Sequence, residues 1–393
     1  MILDKKAAQR FLENPKKWMI LLYCSEITEE AAELLVEKNR GDLDLSCLTK
    51  LGQRSAAILG AFNGSLYLDG LEEPSPDILE EFAERSWKPS QYLSLNGLRV
   101  IDEHQARALS SFNGKLGLRG ITSISEKCAK IIGSGKAHHL YLDGIQSVSE
   151  KTLKHLLTGR QIVSLNSLRT LPEITGDWED HQCTVSELYL NGLQSASSNS
   201  LKTIAAIPID EFFLNGLEAL PQDDEHLFEN CGAAIFLNGL KKLTDIDLKI
   251  LGTNRPSCSL ILDGLEQLDE RQAMELVGTD RGTLSLGLRK MSDEVASVLL
   301  RSKSYGFVMN RLEELTPFAA EICGRYICAD NVYFEGIQQI SDEAFELLLA
   351  DYSNEEENWC PGSFSLTGIR HLTPRMRKAL ESTKHDVTLG EIF

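Results

Sequence analysis

One phrase recurs from end to end of this chain and fixes most of what it can fold into. Leu-x-Leu-Asn/Asp-Gly-Leu appears as LYLDGL at Leu66, LSLNGL at Leu93, LYLDGI at Leu140 and LYLNGL at Leu188. It returns as FFLNGL at Phe212, IFLNGL at Ile235, LILDGL at Leu260, VYFEGI at Val332 and FSLTGI at Phe364. Weaker copies begin at Met19, Leu43, Leu116, Val163, Leu284, Phe307 and Val387. The mean spacing of these starts is about 24.5 residues, the period of a stacked repeat rather than of independent domains.

Each unit has two parts with different periodicity. The first alternates apolar and polar residues, as in Leu188-Tyr189-Leu190, which reads as a short strand with one buried face. Asn-Gly or Asp-Gly follows; the dipeptide supports positive φ, so the chain is expected to turn there. The second part opens with a helix cap: Ser125, Ser149, Thr244, Asp269, Ser292 and Ser341, with Thr316-Pro317 and Thr373-Pro374 adding a proline at the first helical position. Behind the caps the apolar residues fall at helical spacing, as at Leu153, Leu156 and Leu157 after Val148. Glycines at 41, 64, 114 and 306 are expected to end these helices. A single unit cannot bury both its strand and its helix face, but stacked units can. The expected fold is α/β: an open solenoid of about 15–16 strand-turn-helix repeats, with a parallel sheet on one face and short helices on the other.

With these residues in view, the pattern resembles the leucine-rich-repeat family, in a variant form met in bacterial repeat arrays. The family signature L-x-x-L-x-L-x-x-N-x-L places a buried Asn three residues after the second strand Leu. Here Leu193 occupies that place and the Asn comes directly after the strand, so the family's asparagine ladder is absent or relocated. The resemblance implies a protein-binding module, since that family mostly binds proteins along its concave sheet face. Open arrays need capped ends. Residues 1–18 are expected to form an N-terminal helical cap, helical over Asp4 to Phe11 with Trp18 beneath it. Residues 19–393 form a single array ending in a truncated unit at Val387 to Leu389.

Composition excludes several other functions. No apolar run approaches the length of a membrane span, and Met1 to Lys17 lacks the apolar centre of an export signal. A formal charge of −18 argues against nucleic acid and anionic lipid as partners. Nine cysteines without a C-x-x-C pair indicate free thiols and a cytoplasmic setting, and no metal-ligand spacing is present. No phosphate loop, nucleophile elbow or zinc-protease motif occurs, so no catalytic role, cofactor or small-molecule site is expected. His138-His139 is the one histidine pair; their rings are expected to diverge.

The outward strand positions carry the functional signal. Between the two apolar strand residues stand Tyr67, Tyr141, Tyr189, Phe213, Phe236 and Tyr333. Outward acids accompany them, among them Asp143, Glu187, Glu211 and Asp263, against Lys115 and Arg119 as the only outward bases. Aromatic residues stack across strands and stabilise sheets by about 0.2–1 kcal/mol per pair. An exposed aromatic patch rimmed by charge also marks an interaction surface. The functional expectation is a non-catalytic scaffold holding a basic or amphipathic partner protein on this face. The alternative is a carbohydrate-binding solenoid that stacks sugars on the aromatic row. The Asn/Asp row before the glycines is expected to satisfy turn backbone. Two units are longer than the mean, and their loops carry Trp87 and Trp359, either functional loop residues or tryptophans that pack on a neighbouring helix.

Overall fold

The computed structural model describes the chain apart from residues 15–20, 22, 84–86, 160, 177, 179–182, 184, 253–258, 278–281, 302–305, 327–330, 354–360 and 392–393. Trp18, the repeat start at Met19 and the loop residue Trp359 lie outside the described residues. The chain divides into two compact units: Met1–Ala196 with Ile207–Asp210, and Ser197–Ala206 with Glu211–Phe393.

The first unit opens with β1 (Ile2–Leu3), α1 (Lys5–Glu13), β2 (Glu26–Ile27) and α2 (Glu29–Lys38). It continues through β3 (Leu43–Asp44), α3 (Gln53–Gly60), β4 (Leu66–Tyr67), α4 (Pro76–Ala83), β5 (Tyr92–Ser94) and α5 (Glu103–Ser110). It closes with β6 (Lys115–Gly117), α6 (Glu126–Gly133), β7 (His139–Tyr141), α7 (Glu150–Leu156), β8 (Ile162–Ser164) and β9 (Glu187–Tyr189). The second unit holds α8 (Ser198–Ala205), β10 (Glu211–Phe213), β11 (Ala234–Phe236), α9 (Asp245–Gly252), β12 (Leu260–Leu262) and α10 (Glu270–Leu276). It continues with β13 (Thr283–Leu286), α11 (Asp293–Leu299), β14 (Gly306–Val308), α12 (Pro317–Tyr326) and β15 (Asn331–Tyr333). It ends in α13 (Asp342–Leu348), β16 (Ser363–Leu366), α14 (Pro374–Ser382) and β17 (Asp386–Leu389).

Within each unit the sheet strands pair in parallel, in chain order. The register sets the first apolar residue of one repeat beside the first of the next: Leu43, Leu66 and Leu93 in the first unit, Phe212 and Ile235 in the second. The apolar strand residues, Leu66, Leu68, Leu93, Leu95, Leu140 and Leu142 among them, are fully buried beneath the helices. The chain is an open α/β repeat solenoid. The first residues follow the same plan as half a repeat: β1 pairs in parallel with β2, and Asp4 caps α1 by accepting the Ala7 N–H.

All eight expected caps are in place. Ser125, Ser149, Ser292, Ser341 and Thr373 each accept an N–H in the first turn of their helix, and Asp269 forms a reciprocal capping box with Gln272. Thr244 accepts from Asp247 and Thr316 from Ala319. Between β10 and β11 the chain departs from the plan: residues 225–230 form turns where a helix was expected. There Asp224 accepts the His226 N–H and pairs with Lys202, a local arrangement that competes with helix formation, while Leu227 and Phe228 fill the core.

The glycines do a different job from the one expected. The turn closes by an i to i+3 bond, as from the Leu193 N–H to the Leu190 carbonyl. None of Gly70, Gly97, Gly144, Gly192, Gly239 and Gly264 has positive φ. A Cβ on Gly192 would instead lie 1.9 Å from the Asn166 carbonyl oxygen of the repeat before. The requirement is close stacking of successive turns rather than handedness. Gly64 and Gly114, expected as helix stops, stand at the entrances to β4 and β6, where a Cβ would meet the preceding repeat's backbone at 2.8 Å. Gly306 likewise begins β14.

Candidate functional site

The open face of the sheet is built from three outward positions per repeat: the residue before the first strand Leu, the residue between the two apolar residues, and the turn residue after them. In the first unit the middle position runs Asp44, Tyr67, Ser94, Gly117, Tyr141, Ser164, Tyr189 by strand register. In the second it runs Phe213, Phe236, Ile261, Ser285, Val308, Tyr333, Ser365. The six aromatic residues singled out from the sequence all occupy this position and are half-buried.

The turn position is a ladder. Asp69 Oδ1 accepts the Asn96 N–H at 2.9 Å, and Asn96 Oδ1 the Arg119 N–H at 2.9 Å. Asp143 accepts from Asn166, and Asn166 from Asn191, each at 3.0 Å. In the second unit Asn215 accepts from Asn238 at 3.0 Å, and Asn238 from Asp263 at 2.7 Å. Each side chain thus satisfies the backbone donor at the same position one repeat on. The ladder stands at this turn residue and not at the later position that Leu193 occupies. Three acidic turn residues take a hydroxyl of the next repeat on Oδ1: Ser94 on Asp69, Ser164 on Asp143 and Ser285 on Asp263, each at 2.5 Å; on Asp69 and Asp143 it is the oxygen that also accepts the ladder N–H. Asp143 and Asp263, proposed from the sequence as partner-binding acids, therefore have one carboxylate oxygen committed to the stacking of turns.

In the first unit the aromatic residues gather. Tyr92, at the first outward position of β5, stands 5.6 Å from both Tyr67 and Tyr141, ring centre to ring centre. It lies across Gly117, where a Cβ would come within 2.0 Å of its hydroxyl oxygen. Glycine weakens a strand, and here it makes room for a side chain lying flat. Arg119 sets its guanidinium 4.7 Å above the Tyr141 ring while Nε donates to Asp143 Oδ2 at 3.0 Å. His139 Nδ1 is 3.1 Å from the Tyr141 hydroxyl, and burial, with Lys115 nearby, lowers its pKa. His138 is exposed and His139 half-buried. Burial raises the Tyr67 and Tyr141 pKa values; the carboxylates Asp42, Asp44 and Asp69 act in the same direction on Tyr67. Tyr189 donates to Glu187 at 2.6 Å.

In the second unit Phe213 and Phe236 stack at 4.1 Å with an angle of 20° between their planes. Ile261 lies beside Phe236 in register, and Val308 beside Tyr333. Glu211 stands at the first outward position of β10 and is half-buried. Sequence reading missed Tyr92, Ile261 and Val308. Following one outward position along the register finds Ile261 and Val308, and the glycine in β6 marks Tyr92.

Trp87 is buried: its indole N–H donates to the Phe82 carbonyl at 2.6 Å and its ring lies 5.0 Å from Phe112. Among the described residues no group of His, Cys, Asp or Glu could hold a metal ion, and no helix is long and apolar enough to cross a membrane.

No family model and no curated protein matches this sequence. Among solved structures it is similar to a chain of the yeast Rad7–Elc1 complex, at 14% identity over 93% of this chain and 76% of that one, with a TM-score of 0.30. It is similar also to a chain of the TLR13–ssRNA13 complex, at 12% identity over 94% of this chain and 65% of that one, with a TM-score of 0.35.

Proposed function

We propose that this chain is a non-catalytic, leucine-rich-repeat-like scaffold that holds a partner protein along the open face of its sheet. On this reading residues 1–18 cap a single array, the protein works in the cytoplasm of a bacterium, and its partner is basic or amphipathic. The observation that carries the reading is the outward run Phe213, Phe236 and Ile261 in the second unit, with the Phe213–Phe236 stack as its apolar centre. Tyr333 takes the same position further along the second unit, with Glu211 at its rim, and Tyr67, Tyr141 and Tyr189, with Glu187, take the equivalent positions in the first unit. Carbohydrate binding is less well supported, because the Asn and Asp side chains that would take sugar hydroxyls are engaged by the turn backbone. Trp87 packs inside the protein and has no place in the contact surface.

The test is the affinity of the recovered partner for the double variant Phe213→Ala/Phe236→Ala. Aromatic anchors at the centre of an interface cost at least about 2 kcal/mol on truncation, roughly thirtyfold in Kd. The double variant itself should lose only about 0.5–1.5 kcal/mol of stability, the worth of the stacked pair beyond burial. An unchanged Kd would exclude this face as the contact.

A further inference from the structure

We infer that the first unit carries an arginine-accepting site at Tyr67 and Asp69, which takes an arginine side chain of the partner protein. The inference rests on the reading of the sheet face as a protein-binding surface, and names what that surface recognises.

The argument starts from a template inside the same unit. The sequence Leu-Tyr-Leu-Asp-Gly occurs twice in it, at Leu66 to Gly70 and at Leu140 to Gly144. In the second copy the preceding repeat supplies Arg119, which stacks on Tyr141 at 4.7 Å and bonds Asp143 Oδ2 at 3.0 Å. One planar cation thus satisfies a ring face and a carboxylate together, as guanidinium does and a compact ammonium does not. In the first copy the register is the same: Leu43 pairs with Leu66 as Leu116 pairs with Leu140. The position equivalent to Arg119 is then Ser46, too short and uncharged to play that part.

The surroundings are inverted to match. Where β6 presents Lys115 and Gly117 beside its arginine, Asp42 stands just before β3 and Asp44 within it. Tyr67 is therefore ringed by Asp42, Asp44 and Asp69, and all three carboxylates act on it electrostatically. Among the described residues none of the three forms a salt bridge. Asp42 accepts the Ser65 N–H, Asp44 the Ser46 N–H, and Asp69 the Asn96 N–H, each through Oδ1; Asp69 Oδ1 also accepts the Ser94 hydroxyl, and among the described residues its Oδ2 has only the Asn96 side-chain amide, at a long 3.4 Å. Those bonds fix the carboxylates in place and leave their charge for an incoming cation. Tyr92, 5.6 Å from Tyr67, walls the far side. The face that the chain completes itself at Tyr141 is left at Tyr67 for a partner to complete.

The test uses the full chain and two labelled heptapeptides, Gly-Arg-Gly-Arg-Gly-Arg-Gly and the same peptide with citrulline for arginine, read by fluorescence polarisation at low ionic strength. The arginine peptide should bind and the citrulline peptide should not. Ser46→Arg, which supplies the cation in cis as Arg119 does, should weaken the arginine peptide by roughly tenfold or more. Asp69→Asn, which keeps the ladder acceptor and so the fold, should weaken it in the same direction. Glu80→Gln, an equal loss of charge on α4, should change little. The inference is overturned if the arginine peptide fails to bind wild type, if citrulline binds as well, or if folded Ser46→Arg binds with wild-type affinity. Each of those results leaves the Phe213/Phe236 test of the broader reading untouched, and failure of that test leaves this one decidable.

Discussion

Asn238 shows how much a single side chain carries here. Its amide oxygen holds the Asp263 N–H at 2.7 Å, a donor that water reaches poorly between stacked turns. Asn238→Leu should therefore cost about 1–3 kcal/mol, the penalty of an unsatisfied buried N–H, read as a shift in urea midpoint. The acidic rungs behave as coupled pairs with the following repeat. Asp69, Asp143, Asp263 and Glu335 are each followed one repeat later by Ser94, Ser164, Ser285 and Ser365 at the middle strand position. Asp263→Asn and Ser285→Ala should consequently be non-additive in a double-mutant cycle, with coupling of about 0.5–3 kcal/mol; strictly additive losses would deny the pairing. That correlation was legible in the sequence, but only by reading one repeat against the next. The turn glycines were legible as turns, yet the reason for them was not. A dipeptide reports its local freedom, whereas the Asn166 carbonyl that excludes a Cβ at Gly192 comes from another repeat.

Elements followed sequence where the cue was local. Caps such as Ser125 and Asp269 sit one residue before their helices, because a hydroxyl or carboxylate there satisfies an otherwise free N–H. The helix expected between β10 and β11 failed because Asp224 finds partners in His226 and Lys202 that the repeat pattern does not display. The last strand pair carries a pH dependence. His385 is buried against Phe364, with ring centres 5.0 Å apart, and its Nδ1 accepts the Gly362 N–H at 2.9 Å. Burial lowers its pKa, and the nearby Asp351 acts the other way without reversing the shift. The folded state thus binds this proton less well than the unfolded chain. The stabilisation is complete above the ordinary histidine value of about 6.5 and is lost as pH falls through the lowered folded value. Amide protection in β16 and β17 should fall on acidification through that window, and His385→Asn should flatten the dependence. A pH-independent protection profile in the wild type would contradict this.

At the scale of the whole molecule, repetition distributes the core. Every strand Leu buried between repeats is worth about 2–5 kcal/mol against Ala, but no residue supports repeats beyond its neighbours. Deleting one full period, Leu116 to His139, should leave a folded chain with proportionately less helix by circular dichroism; complete unfolding would speak against the repeat architecture. The fold was legible because its cause is a period written into the sequence. The face was legible only in part, since alternation points side chains outward without telling which of them meet: Tyr92 reaches the cluster through a missing side chain at Gly117. With a formal charge of −18, the chain should associate with a basic partner more slowly as salt rises, and release it at a rate that salt changes less. The most direct measurement of the central claim is site-specific photo-crosslinking, with benzoylphenylalanine placed at Phe236 on the sheet face or at the exposed Met274 on α10. The partner should crosslink from Phe236 and not from Met274. Crosslinks from Met274 with none from Phe236 would place the contact on the helices and contradict the account.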